Sequence, residues 1–414
     1  MSHPVSRRLF WPQSVGAAAL LSGNSSYAFH GESQRIAAIV TVYTKDSHAD
    51  GYVGKVLEGW QQDGGKGPDL KLMSLYADQV PKNDLSLTLA KKHDVLHTMN
   101  IEQALTLGTG NFAVEGVLSM GEHGDYPRNK LGQVLYPRKR FFDEIVKVMQ
   151  RHRRFVPLFN DKHLSWSWDE AQEMVETAHE LGIPFMAGSS IPVTWRKPGL
   201  VLPRGCQIEE AIGLGYGGLE GYGIHALEGL QCMVERRQGG ETGVRSVQAL
   251  QGQSMWKAAR AGRWSTDLLE AALKVVPHKK GDVKTNVGNN GAVFLVDYRD
   301  GTRGSVAMLN GHIGQFGFVA KLRGVADPVA CWFVLQEEHP WEHHANLLRA
   351  VEQMFHSGKP GYPVERTLLT TGIQQVVMQS LAGGGRRIAT PHLAVKYTPS
   401  DYPPPATKPF ASPT

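Results

Sequence analysis

Between Arg35 and Ala187 short apolar runs alternate with amphipathic stretches, and this alternation narrows the fold more than any other feature of the chain. The apolar runs are 36–43, 70–76, 114–120, 155–159 and 183–187; the helix-like stretches are 50–60, 85–93, 101–107, 139–152 and 168–181. Strands separated by helices do not pair as hairpins, so the pattern predicts an α/β unit, a parallel sheet with helices on both faces. Ser167 with Glu170 reads as a capping box for the last helix, and Gly182 stands where a C-terminal glycine belongs. Ligands of such sheets lie outside the carboxyl ends of the strands. That gathers residues 41–47, 76–79, 120–126, 160–163 and 188–190 around one crevice.

After Thr194 the texture changes to glycine-rich loops and then to extended segments at 244–250, 292–298, 304–309, 316–322 and 330–335. Asp300-Gly301 is a hairpin turn signal, because glycine accepts positive φ at little cost. Amphipathic helices are expected at 342–355 and 364–381, the second ended by Gly383-Gly384-Gly385. The second half therefore reads as an α+β domain with an open antiparallel sheet. The expected organisation is an export signal over 1–28, a parallel-sheet domain over 35–194, an α+β domain over 195–398 and a disordered Pro/Ser/Thr-rich tail over 399–414.

The leader follows the order of an export signal: Arg7-Arg8 with Phe10, an apolar stretch from Val15 to Leu21, then Ser26-Tyr27-Ala28. The arginine pair is that of a twin-arginine leader, which implies a periplasmic or otherwise exported protein delivered already folded. Its apolar stretch is too short for a stable membrane span. Lys plus Arg is 44 against 39 for Asp plus Glu, a net charge of +5 to which the leader arginines contribute, too small an excess for a nucleic-acid partner. Cys206, Cys232 and Cys331 lie far apart with no C-x-x-C, so they predict neither a zinc knuckle nor a disulfide framework.

Three segments resemble the Gfo/Idh/MocA oxidoreductases, the glucose-fructose oxidoreductase and inositol dehydrogenase family. Asp161-Lys162 before an acidic helix is similar to the family's Glu-Lys-Pro strand end, Gly182 to Gly188 to the strand after it, and Tyr222-Gly223-Ile224-His225 to its Asp-x-Gly-x-His segment. The likeness extends over most of 35–391, ending at Gly385-Arg386-Arg387-Ile388. It implies a Rossmann-like doubly wound sheet followed by the α+β domain, NAD or NADP as cofactor, a carbohydrate or polyol substrate, and a homo-oligomer packed through the open sheet. By the same resemblance Lys162, His225 and Asp161 are the catalytic candidates, the lysine and histidine assisting proton removal from a hydroxyl.

The chain departs from the family at the first turn, where G-x-G-x-x-G lets the backbone approach a pyrophosphate. Here the turn reads Thr41-Val42-Tyr43-Thr44-Lys45-Asp46 with no glycine. Each Cβ narrows the space for a diphosphate, and Asp46 adds repulsion that Lys45 partly offsets. The cofactor-binding candidates are Thr41, Val42, Tyr43, Lys45, Asp78 as ribose-binding acid, and His123; Tyr43 and Lys45 are expected to replace the glycine cradle. His163 replaces the proline of the lysine motif, and Glu220 adjoins Gly221, where the family has its acid. Substrate candidates are Tyr126, His163, Trp195, Arg196, Glu220 and Tyr222, with Trp195 offered as a stacking surface for a sugar ring.

Residue type would also allow a metal on His123, Asp161, His163, Glu220 and His225, but no H-E-x-x-H-like spacing supports one, and none is predicted. His343-His344 read as a solvated helix face. The leading expectation is an exported CH–OH oxidoreductase using a nicotinamide. The alternative keeps the fold without redox turnover, as a metal-assisted or metal-free carbohydrate lyase, hydratase or hydrolase or a carbohydrate-binding protein, and the missing glycines favour it.

Overall fold

The computed structural model describes residues 33–336 and 338–405. The proposed leader and residues 406–414 lie outside the described residues. The first half runs β1 (Gln34–Val40), α1 (His48–Glu58), β2 (Leu70–Ala77), α2 (Ser86–Lys92), β3 (Leu96–Thr98), α3 (Ile101–Thr106), β4 (Gly116–Met120), α4 (Arg138–His152), β5 (Leu158–Asp161), α5 (Trp168–Glu180) and β6 (Phe185–Gly188). Its six strands are all parallel, in the order β3-β2-β1-β4-β5-β6. Strand β1 shows why helices are needed on both faces. Ile36, Ala38 and Val40 bury against α1, while Ala37 and Ile39 bury against α3 and α4.

The second half runs β7 (Trp195–Lys197), β8 (Ile208–Gly215), α6 (Gly223–Val234), β9 (Val244–Gln251), α7 (Gln253–Arg260), α8 (Thr266–Leu273), α9 (Val283–Val287), β10 (Ala292–Tyr298), β11 (Arg303–Met308), β12 (Phe316–Leu322), β13 (Val329–Val334), α10 (Glu342–Ser357), α11 (Glu365–Ala382) and β14 (Ile388–Ala389). The strands form one sheet, β14-β9-β10-β11-β8-β12-β13-β7. It is mixed rather than antiparallel throughout, because β8 enters its middle parallel to β11 and antiparallel to β12. Nor is it open. Phe294, Val296 and Phe318 bury on the side of α6 and α11, and Val293, Leu295 and Val319 bury under Met255, Trp264 and Leu268 of the α7–α8 region. The face that the resemblance offers to a second copy is covered by the chain itself.

The parallel sheet ends with β6 and the second sheet takes up the chain from β7, and α10 crosses back. Its Leu347, Val351 and Met354 close the α1 face of the parallel sheet, and the described residues group as one compact unit. The tail is fixed at its start: Ser400 Oγ donates to the Gly361 carbonyl at 2.7 Å, and Asp401 takes Arg204 and Arg236 at 2.9 and 3.0 Å. Ser167 is the N-cap residue of α5, yet its hydroxyl makes no capping bond, and Glu170 pairs with Ser165 instead. Gly182 (φ 65°) and Gly301 (φ 93°) take the left-handed conformations expected of them. All three cysteines are free thiols. No described helix is long and apolar enough to cross a membrane.

Candidate functional site

The carboxyl ends of β1, β4, β5 and β6 face the start of α6, the end of β8, the start of β12 and the start of α10, and a cavity of about 550 Å³ lies between them. Its wall includes Lys162, His225, His123 and Tyr222 from the sequence-derived candidates. Lys162 follows β5 with φ 60°, a left-handed conformation uncommon outside glycine and often found at functional positions. Its ammonium is 2.9 Å from Glu122 Oε1 and donates to the Gly221 carbonyl at 3.3 Å, both partners being parts of the same wall. Glu122 also binds Arg138 at 2.5 Å. Burial alone would raise the Glu122 pKa; Lys162 and Arg138 hold it well below the usual carboxylate value.

His225 opens α6, and its Nδ1 lies 2.5 Å from Ser189 Oγ. Burial, then the neighbouring Lys162 and His48, keep the imidazole neutral well below its ordinary pKa. Tyr222 stacks on Phe316 at 6.5 Å with an interplanar angle of 15°, and Tyr216 meets both rings edge-on or tilted, at 5.3 and 5.1 Å. This aromatic group forms an apolar wall beside the polar one, the kind of surface on which the C–H face of a sugar ring rests.

Asp161 is buried and does not face the cavity; it is committed to His48, whose Nδ1 lies 2.5 Å from its Oδ2. His48 was not among the sequence candidates. It is the first residue of α1, set there by the Ser47 N-cap, and it lines the cavity in its own right. The dyad is the usual way of fixing an imidazole's tautomer and orientation. His343 and His344 were read as solvated and are instead buried in the same wall, because α10 is turned towards α1. His344 stacks on Tyr52 at 4.6 Å and lies against Gly51 of α1, where a Cβ would collide with its Nδ1. Burial and His48 depress His123 to about 4 and His343 to about 3.

A second crevice of about 240 Å³ runs over the first turn, lined by Val42, Thr44, Lys45, Gln79 and Gly124 among others, and it shares Asp46 and His123 with the main cavity. Two of the cofactor candidates cannot reach it. Thr41 is fully buried with its hydroxyl donating to the Glu122 carbonyl, and the Tyr43 ring is in the core of the α1 face. Asp78 is taken up by Tyr126 at 2.7 Å and by Tyr76 and Arg140 at 2.5 Å each, which also accounts for Tyr126. At the start of α1, Ser47 accepts from Asp50 N and Asp50 accepts from Asp46 N, so the chain's own side chains occupy donors that a bound anion would use.

The remaining candidates lie elsewhere. His163 is buried 3.1 Å from Arg138 and 3.7 Å from Glu220, behind the cavity rather than in it. Trp195 is buried in edge strand β7, and Arg196 donates to the Leu200 and Pro192 carbonyls beside a different cavity. The five residues weighed as a metal set therefore do not meet at one point, since Asp161, His163 and Glu220 are engaged outside the cavity wall.

No protein-family profile and no curated protein sequence matches this chain. Solved structures do. It is similar to GenD2 from gentamicin A biosynthesis in complex with NAD, at 14% identity and a TM-score of 0.55, covering 87% of this chain and 97% of that one. It is also similar to myo-inositol 2-dehydrogenase from Lactobacillus plantarum (12% identity, TM-score 0.52, covering 86% and 99%). A third similar structure is apo scyllo-inositol dehydrogenase from Lactobacillus casei (11%, 0.52, 86% and 98%). At these identities the likeness concerns the backbone: this chain has the Rossmann-like sheet and the following sheet domain of those dehydrogenases over nearly their whole length.

Proposed function

We propose that the chain is a CH–OH oxidoreductase that acts on a polyol or sugar in the main cavity with NAD or NADP in the adjoining crevice. The observation that carries the reading is the meeting of Lys162 and His225 in one cavity beside the Tyr222–Phe316 wall. The inositol dehydrogenases of the same fold support the substrate class, and the NAD complex of GenD2 supports the cofactor.

The crevice adjoins the cavity, Asp46 and His123 lining both, as a dinucleotide reaching from one to the other would need. The hold on its diphosphate differs from a glycine turn: exposed Lys45 is the cation at the crevice, opposed by Asp46, and a weaker grip follows. A bound nicotinamide supplies the hydride acceptor. The chain's own part is the proton. Lys162 donates a hydrogen bond to the substrate hydroxyl oxygen, and neutral His225, steadied by Ser189, receives the hydroxyl proton.

The test is addition of NAD or NADP and a panel of inositols and sugars to purified protein, following the absorbance of the reduced nicotinamide. Turnover that falls on Lys45→Ala through a raised cofactor KM supports the reading. Absence of both dinucleotide binding and a co-purified nicotinamide transfers the site to hydroxyl acid–base chemistry without redox.

Export belongs to the same proposal and rests on Arg7-Arg8 and the segment after them. Replacing both arginines with lysine should retain the precursor inside the cell, and unchanged export would remove that part. The homo-oligomer implied by the resemblance would need a surface other than the sheet face under α7 and α8.

A further inference from the structure

Five histidines line the main cavity, and they differ in what stands behind them. Among the described residues His48 is the one of the five paired with a carboxylate: its Nδ1 lies 2.5 Å from Oδ2 of Asp161, whose side chain is 1% exposed. Nδ1 of His225 has the Ser189 hydroxyl, and Nδ1 of His123, His343 and His344 is buried without a hydrogen bond. With Nδ1 of His48 taken, Nε2 is the nitrogen that this ring can offer to a ligand, and a buried carboxylate behind an imidazole fixes the direction in which it is offered. The place of the ring says what it meets. Phe316 and Tyr222 of the aromatic wall stand 5.9 and 6.0 Å from the ring of His225, and His225 stands 6.5 Å from that of His48 at an interplanar angle of 32°. Aromatic wall, His225 and His48 thus follow one another along the cavity, from the second sheet domain towards the start of α1.

We infer, resting on the polyol reading proposed above, that His48 binds a second hydroxyl of the ligand, on the carbon next to the one whose hydroxyl meets Lys162 and His225, so that the cavity selects a vicinal diol over an isolated alcohol. A sugar or cyclitol ring resting its C–H face on Tyr222 and giving one hydroxyl to His225 carries its next oxygen towards α1, into hydrogen-bonding range of His48 Nε2. His48 is then a specificity-determining residue and Asp161 a positioning one, which touches no ligand and holds the imidazole to its task. Hydrogen bonds supported by a charge are the stronger ones. A ligand without the second hydroxyl leaves Nε2 desolvated and unpaired, and a site built to pair with a hydroxyl rejects the analogue lacking it for that reason.

The test is calorimetric titration of the purified full chain, as wild type, His48→Phe and Asp161→Asn, with myo-inositol, D-glucose and the monodeoxy analogues of each. For a parent that binds, the wild type should lose about 10- to 100-fold in affinity when either of two neighbouring hydroxyls is removed. His48→Phe should weaken the parent by the same factor and bind the analogue lacking one of those hydroxyls as well as it binds the parent, while still discriminating against loss of the other. Asp161→Asn should leave a smaller discrimination at the His48 position. A merely structural role for His48 would weaken parent and analogues alike, and that result overturns the inference, as does loss of NAD binding with polyol selectivity intact. Should His48→Phe fail to fold, the wild type and Asp161→Asn decide it: sensitivity to the loss of a single hydroxyl only, or unchanged selectivity in Asp161→Asn, overturns it. Binding of neither parent ends the proposed polyol site together with this inference, whereas binding with unaltered selectivity in His48→Phe ends this inference alone.

Discussion

Lys162 and Glu122 are a buried ion pair, and around them stand imidazoles that burial and one another's charge keep neutral. The stability consequence has a definite sign. A histidine whose folded pKa lies below its unfolded value of about 6.5 binds fewer protons folded than unfolded in the interval between, so stability falls as pH drops through it. With His123 near 4 and His343 near 3, that interval runs from about 6.5 down to those values. Glu122, also depressed, adds loss in the same direction below about 4.5. Each histidine contributes a slope of about 1.4 kcal/mol per pH unit there. Denaturant melts across this range should show the loss, and His343→Gln should make it shallower; a flat profile would mean that these imidazoles are not held neutral. At this scale the sequence was partly legible. Lys162, His225 and Tyr222 could be placed because they follow a strand end or open a helix, whereas His48, His343 and His344 could not, because their burial depends on α10 returning to α1. A histidine pair one residue into a helix, preceded by Pro340-Trp341, was the available signal.

The elements themselves were easier to read, since period and turn residues are local. Strands β10 and β12 match the expected extents to the residue, while β8 was missed because Glu209, Glu210 and two glycines interrupt the continuous apolar run that marks a strand buried on both faces. Strand β3 is three residues long and carries little pattern. The contact between α1 and α10 is the element pair on which the site depends, and Gly51 is its pivot. Alanine has the better helix propensity by roughly 0.5–1 kcal/mol, but its Cβ would occupy the place of the His344 ring. Overpacking of this kind typically costs about 1–3 kcal/mol. Gly51→Ala is therefore expected to lower the melting temperature, checked by calorimetry, by displacing the His344 ring. A more stable Gly51→Ala variant would show that the two helices are not tightly apposed.

Across the whole molecule, one chain makes two sheets and closes the cavity by sending α10 back from the second to the first. That crossing was not legible, because local pattern says that 342–355 is a helix and nothing about which sheet it covers. It explains why a first turn without glycine can border an enzyme-like cavity: the wall opposite the strand ends carries Trp341, His343 and His344 in place of open solvent. The central claim is that this cavity receives a polyhydroxylated ligand between Lys162, His225 and the Tyr222 wall. Its most direct test is calorimetric titration of myo-inositol and a panel of related polyols and sugars into the wild type, Lys162→Met and His225→Ala, each verified as folded. The account predicts saturable binding of at least one of them by the wild type and, where turnover is found, a loss of about 100- to 10,000-fold in either variant. No binding by any member of the panel, or binding and turnover undiminished in both variants, would contradict it.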